Sequence, residues 1–150
     1  MNVVNALHLA KARGIEVDRT RVDANRDYAD FIEVRATGSG RSSRVAGALL
    51  AEGHPRVVRI GDFRLDVVPR GVLVLLRNRD VPGVIGRVGS LLGDAGINIA
   101  EYHQARLSAG GEALAAISVD SPLKPEALGA LRSLPEVLDA RQVQFDPVGQ

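Results

Sequence analysis

Two short stretches carry residue types that can hold a small charged ligand: Asn78-Arg79-Asp80-Val81-Pro82-Gly83-Val84, and Asn98 within Gly96-Ile97-Asn98-Ile99. A carboxylate at Asp80 accepts hydrogen bonds from an ammonium, and the Asn98 amide both donates and accepts. A helix that begins near Gly83 and Val84 presents free backbone N–H groups with partial positive charge, which suit a carboxylate. Pro82 fits the start of such a helix because its missing N–H costs nothing there. Together these groups would satisfy both charged ends of a free amino acid. In the alternative reading, Asp80 only caps the helix and Asn98 only eases a turn.

Other constellations carry less chemistry. Gly38-Ser39-Gly40-Arg41-Ser42-Ser43 lacks the third glycine of a dinucleotide-binding loop and stands between two strand-like stretches, so it reads as a hairpin turn. Gly83-Val84-Ile85-Gly86-Arg87-Val88-Gly89 opens a helix but offers neither G-x-G nor G-K-[ST]. Its small residues are expected to allow close packing against a sheet or a second subunit. His8, His54 and His103 each lack a second ligand at metal spacing and read as structural or surface histidines. The absence of cysteine excludes disulfides, zinc ribbons, iron–sulfur ligation and thiol nucleophiles. No Ser-His-Asp set or carboxylate pair can be argued from spacing, so no catalytic residue and no metal ligand is assigned.

The elements that must position the candidate residues follow from hydrophobic periodicity. Residues 2–13 place Val3, Val4, Leu7, Ala10 and Lys11 at helical spacing before Gly14. The period then changes to two. Ile15 and Val17, Phe31 to Val34, Val45 to Leu50, Val57 to Ile60, and Phe63 to Val67 mark four or five strands, broken at 23–27, 38–40, 53–55 and 61–62 by turn-forming residues.

Pro69-Arg70-Gly71 ends this mostly antiparallel half, and the pattern restarts. A strand over 72–76, a polar loop over 78–82 and a helix over 83–94 come first. A strand over 97–107, a turn at 109–111, a strand over 113–119, a helix over 126–133 and a strand over 137–145 follow. The order β-α-β-β-α-β is that of ferredoxin-like folds, so the expected class is α+β, with one partial domain over 1–70 and a second domain over 71–150. In a β-α-β unit the helix start and the beginning of the next strand are expected as neighbours, which would bring Asp80 and Asn98 together.

Composition narrows the partners. A length of 150 residues allows one domain or two small ones and excludes a large enzyme. Nineteen basic and 18 acidic side chains leave a net charge of +1, with no single-sign field to steer a polyanion, and five aromatic residues provide little for stacking on bases. No apolar run approaches the roughly 20 residues of a membrane span, and the first residues do not read as a signal peptide. The expectation is a soluble cytoplasmic protein with neither nucleic acid nor membrane as a partner.

The run Asp80-Val81-Pro82-Gly83-Val84-Ile85-Gly86-Arg87-Val88-Gly89, followed by Gly96-Ile97-Asn98-Ile99-Ala100 and Gly110-Gly111-Glu112-Ala113, resembles the ACT domain that ends many D-3-phosphoglycerate dehydrogenases. Upstream, Val3-Val4-Asn5-Ala6, Ala10-Lys11-Ala12-Arg13-Gly14-Ile15 and Val57-Val58-Arg59-Ile60-Gly61-Asp62-Phe63 look like the intervening, allosteric substrate-binding domain that precedes it in the longer form of that enzyme. The resemblance implies a ferredoxin-like module that pairs with another copy and binds L-serine at the paired interface, as feedback inhibition in L-serine biosynthesis. By position it carries serine contacts onto Asp80 and Asn98, with the backbone of Pro82, Gly83 and Val84 beside them. Asn78 falls where relatives often hold a ring such as His or Tyr. Arg56 falls at a basic position of the intervening domain, where some relatives bind anionic effectors.

NAD would belong to a catalytic part of the parent enzyme, since this chain has no G-x-G-x-x-G after a strand and no room for a substrate domain. The resemblance begins inside the intervening domain, so a truncated chain, a proteolytic fragment or a split gene product is expected, with part of that sheet uncovered and available for pairing. Two other functions stay open: the regulatory part of another amino-acid enzyme, such as an iron–sulfur L-serine dehydratase, and a ligand-free dimerisation scaffold.

Overall fold

The computed structural model describes residues 5–20, 30–50 and 53–145. Helix α1 (Ala6–Ala12) is followed by β1 (Asp30–Gly38), β2 (Arg41–Leu49), β3 (Pro55–Ile60) and β4 (Phe63–Val67), which form one antiparallel sheet in the order β1-β2-β3-β4. The β1–β2 connection is Ser39-Gly40, with φ of 50° and 72°, closed by the Gly38–Arg41 pair. A two-residue turn with both φ values positive matches the right-handed twist of its strands. The glycine-rich stretch is therefore a hairpin, with no helix start to receive a phosphate.

A second sheet contains β5 (Val72–Arg79), β6 (Ile99–Arg106), β7 (Glu112–Val119) and β8 (Val137–Gln144) in the order β6-β7-β5-β8, all pairs antiparallel. Helices α2 (Val84–Asp94) and α3 (Pro125–Arg132) complete a ferredoxin-like βαββαβ order, and the chain as a whole is α+β. Alternation along β5 puts Val72, Val74 and Leu76 on the face that meets Val88 and Leu92 of α2 and Leu131 of α3. The other face carries Leu73 and Ala116, which cluster with Val67, so β4 lies against the back of the second sheet.

Several sequence expectations change in detail. Ile15 and Val17 are 53% and 49% exposed and lie outside any ladder, because two alternating apolar residues do not make a strand without a neighbour to bond. The break expected at 23–27 lies outside the described residues, as do Val3 and Val4. Asn78 is not in a loop: it lies inside β5, opposite Ala113 and Val137. Gly86 and Gly89 do not pack against the sheet, since a Cβ at either would meet nothing within 4 Å. Helical spacing turns Val84, Val88 and Leu92 inward and leaves these glycines on the outer face. On the first sheet, Ile32, Val34, Val45 and Leu49 share one face of β1 and β2 and are 41–66% exposed.

Tyr102 on β6 packs against the helix-side core, and its hydroxyl is buried with no hydrogen-bond partner among the described residues. Burial raises its pKa, because a low-dielectric surrounding disfavours the phenolate. A raised folded-state value means that this stability is complete below the unfolded phenol value of about 10 and is lost as pH rises through the folded value. Tyr102→Phe removes the unpartnered hydroxyl. Urea unfolding at neutral pH should show a gain of about 1 kcal/mol, with a shallower decline in alkali. A loss at neutral pH would mean that the hydroxyl has a partner.

Candidate functional site

At the end of β5 the chain turns through Asp80, Val81 and Pro82 into α2. Two bonds gather neighbouring loops here: the Asp80 N–H donates to the Gly111 carbonyl at 2.8 Å, and the Arg79 N–H donates to the Glu136 carbonyl at 2.9 Å. Gly83 then adopts φ of 87°, a left-handed conformation that glycine takes at little cost, and no side chain caps the helix that follows. Asp80 is therefore not a helix cap. Its carboxylate faces the β6–β7 hairpin instead, 3.2 Å from Arg106 Nη1 and 3.4 Å from both Gln104 Nε2 and the Gly110 N–H. These bonds are long, so the acceptor capacity of Asp80 is only partly used.

Asn78 sits beneath this turn at 1% exposure, the polar member of a buried row that is otherwise Val72, Val74 and Leu76. Its Nδ2 donates to the Arg79 carbonyl at 2.7 Å, while Oδ1 is buried without a partner. Glu136 lies beside it, one residue before Val137. Its Oε1 accepts from Arg87 Nη2 at 2.5 Å, and its Oε2 is likewise buried without a partner. Sequence reasoning did not single out Arg87 and Glu136. They are 49 positions apart and meet only when the first turn of α2 and the α3–β8 connection reach the same end of the sheet.

The start of α2 is tightly made. A Cβ at Gly83 would stand 2.7 Å from Arg87 Nη1, at a φ that L side chains rarely adopt. Gly83→Ala should cost about 1–2 kcal/mol in urea unfolding, from the left-handed strain and the displaced guanidinium together. Unchanged stability would mean that the helix start can shift without cost.

Asn98 is at the other end. Val72 and Ile99 both stand opposite Val119, whereas Arg79 stands opposite Glu112. The seven residue steps from Val72 to Arg79, at about 3.3 Å each, put roughly 23 Å between the two ends. The expected closeness of Asp80 and Asn98 is thus corrected. Helix α2 crosses back over the sheet, so β6 begins where β5 began, as a crossover to a parallel strand requires. Asn98 Nδ2 donates to Asp120 Oδ2 at 2.7 Å, and its carbonyl accepts from the Asp120 N–H at 3.2 Å.

Arg56 on β3 directs Nε at Asp66 Oδ1, 2.9 Å away. Both line a cleft of about 400 Å³ between the first sheet and β6, together with Glu101 and His103. His103 Nε2 lies 3.3 Å from Glu101 Oε2. An anion reaching Arg56 would therefore meet two carboxylates as well, and the cleft has no concentrated positive field. Among the described residues, no group of three or more His, Cys, Asp or Glu side chains could hold a metal ion, and no helix is long and apolar enough to cross a membrane.

Comparison with known proteins gives two family matches, the D-3-phosphoglycerate dehydrogenase intervening domain over residues 1–61 and the ACT domain over residues 72–136. The chain is 36% identical over 145 residues to the D-3-phosphoglycerate dehydrogenase of Synechocystis sp., an alignment covering 97% of this chain and 26% of that protein. Similar matches, each covering 97% of this chain and 28% of the relative, are to the D-3-phosphoglycerate dehydrogenases of Bacillus subtilis at 34% identity and Archaeoglobus fulgidus at 33%. The chain spans about a quarter of the length of these relatives. With both matched domains in this order along nearly its whole length, the chain belongs to the D-3-phosphoglycerate dehydrogenase family and corresponds to its C-terminal regulatory region.

Proposed function

We propose that the chain is a regulatory module that binds a small amino acid, with L-serine the first choice, between two copies of its second domain. In this reading residues 71–150 are the binding domain and residues 1–70 are part of the intervening domain. The parent is an NAD-dependent D-3-phosphoglycerate dehydrogenase of L-serine biosynthesis, with NAD held in its catalytic part. Bound effector lowers its activity by favouring one arrangement of the attached domains.

The observation that carries this reading is the separation of Asp80 and Asn98. One ligand cannot span a sheet about 23 Å long, but a two-fold axis sets the Asp80 end of one copy against the Asn98 end of another and makes two equivalent sites. Strand β6 is an edge strand of the second sheet, so such pairing has somewhere to form. The unsatisfied Asn78 oxygen and the uncapped start of α2 supply an acceptor and donors beside Asp80.

Calorimetry with L-serine, glycine and L-alanine tests the proposal, and no heat with any of them would sink it. Sedimentation with and without the ligand separates it from a ligand-free scaffold, which would dimerise equally well in both. The relatives named above are all called D-3-phosphoglycerate dehydrogenases, which favours that parent over an iron–sulfur L-serine dehydratase.

A further inference from the structure

We propose that strand β1 is a self-complementary edge, which pairs antiparallel with β1 of a second copy about a two-fold axis at Val34 and joins the two first sheets into one. This interface lies on the first domain and does not depend on the effector site.

The two sheets end in β1, β4, β6 and β8. The ladders of the last three each carry a register shift, between Val57 and Arg59, between Ile99 and Glu101, and between Arg77 and Asn78. Strand β1 carries none, and its nine residues pair with β2 without a break from Asp30 opposite Leu49 to Gly38 opposite Arg41. It holds no proline and no lysine, and Ile32 and Val34 on one face are 66% and 60% exposed. A long, regular edge without such devices is a template for another strand.

Hydrogen bonding and charge then select one register. The two-residue turn makes Gly38 and Arg41 a hydrogen-bonded pair, and the pair type alternates along an antiparallel ladder. Val34 therefore bonds to β2, while the backbone N–H and C=O groups of Glu33 and Arg35 point away from it. A two-fold ladder built on these outward groups must be centred on a single residue. Centred on Glu33 or on Arg35, it would set like charges directly opposite each other, which is destabilising. Centred on Val34, it sets Glu33 of each copy opposite Arg35 of the other, joined by backbone bonds and by charge. Val34 is also the midpoint of β1, so this centre uses the whole strand. Glu33 and Arg35 already touch within one copy at 3.1 Å, and pairing closes an alternating square of the four charges. On the opposite face Val34 meets Val34 of the second copy and Ile32 meets Ala36, which covers part of the exposed apolar row. A single strand pairing is a small interface, so the dimer is a weak one that forms in concentrated solution.

The test is cross-linking of the full chain. It contains no cysteine, so a single introduced cysteine can form a disulfide only between copies. In this register the two Val34 Cα atoms form a non-hydrogen-bonded pair about 4.5 Å apart, within disulfide range. The two Ile32 positions are four residues out of step, roughly 14 Å apart. Under mild oxidation Val34→Cys should therefore cross-link about tenfold faster than Ile32→Cys, although Ile32 is the more exposed. Equal rates, the sign of random collision, overturn the proposal. Charge reversal is the second arm, with folding checked by circular dichroism. Glu33→Arg and Arg35→Glu, each added to Val34→Cys, should slow the reaction about tenfold, because each sets like charges opposite each other. An equal mixture of the two should recover the rate and give mixed disulfides, since each copy supplies the charge that the other lacks. A mixture no faster than either variant alone overturns the register and with it the proposal.

Discussion

Replacing Ile117 with alanine should remove about 2–5 kcal/mol of unfolding free energy. Ile117 is fully buried at the middle of β7, opposite Val74 on one side and Tyr102 on the other. Strand β7 lies between β6 and β5, so the cavity would open in the central part of the second sheet, beneath the helices. The size of the loss depends on how far those helices can collapse into the space. Leu92 and Leu131 are themselves fully buried, which leaves them little freedom to move. Against a total stability of about 5–15 kcal/mol for a typical domain, such a loss is large enough to populate unfolded chains near body temperature. Urea or thermal unfolding monitored by circular dichroism reads it directly. A loss below about 1 kcal/mol would mean that the helix layer is loosely held.

The second sheet is legible in the sequence because each of its elements has its own local signal. The run Val72 to Leu76 is apolar at every position, Val84, Val88 and Leu92 repeat at helical spacing, and Gly110 and Gly111 sit between two strand-like stretches. The Ser39-Gly40 hairpin is legible for the same reason, since few residue pairs accept two positive φ values in succession. Asn78 shows where local reasoning stops. Its polarity suggests a loop, but Ala113 and Val137 pair with it from both sides, and the ladder extends the strand through it.

The site divides along the same line. Residue types at positions 80, 83, 84 and 98 allow a zwitterionic ligand from sequence alone, beside the reading of a cap and a turn. Distances between them cannot be read there, because they depend on the direction in which β6 runs. A β-α-β unit read as a string places Asp80 and Asn98 eleven residues of helix apart, and only the return of α2 across the sheet places them at opposite ends. Arg87 and Glu136 were not visible at all. No motif records a contact between the first turn of one helix and the connection that follows another.

The separation of Asp80 and Asn98 has a consequence that a mixing experiment can read. If each site takes Asp80 from one copy and Asn98 from the other, Asp80→Ala and Asn98→Ala should each weaken effector binding by about tenfold or more, close to 1.4 kcal/mol. Each variant homodimer carries one defect in both of its sites. Unfolding the two variants together and refolding them should give about half heterodimers by random pairing, and two-fold symmetry then places both defects in one site and leaves the other intact. About a quarter of all sites should therefore bind with wild-type affinity, although neither variant does so alone. Calorimetry would show this as a partial stoichiometry at the original affinity. Native mass spectrometry would show whether heterodimers formed. Heterodimers without any recovered binding would place Asp80 and Asn98 in the same copy's site or in no common site, and the two-copy reading would fail. Asp80→Ala also releases Arg106 and Gln104 from their carboxylate partner, so a loosened hairpin is a competing cause for its loss of affinity. The mixing result holds for either cause: a loosened hairpin also travels with its own copy and leaves the partner's Asp80 end, the one that completes the restored site, untouched, so recovered binding reports the two-copy arrangement itself.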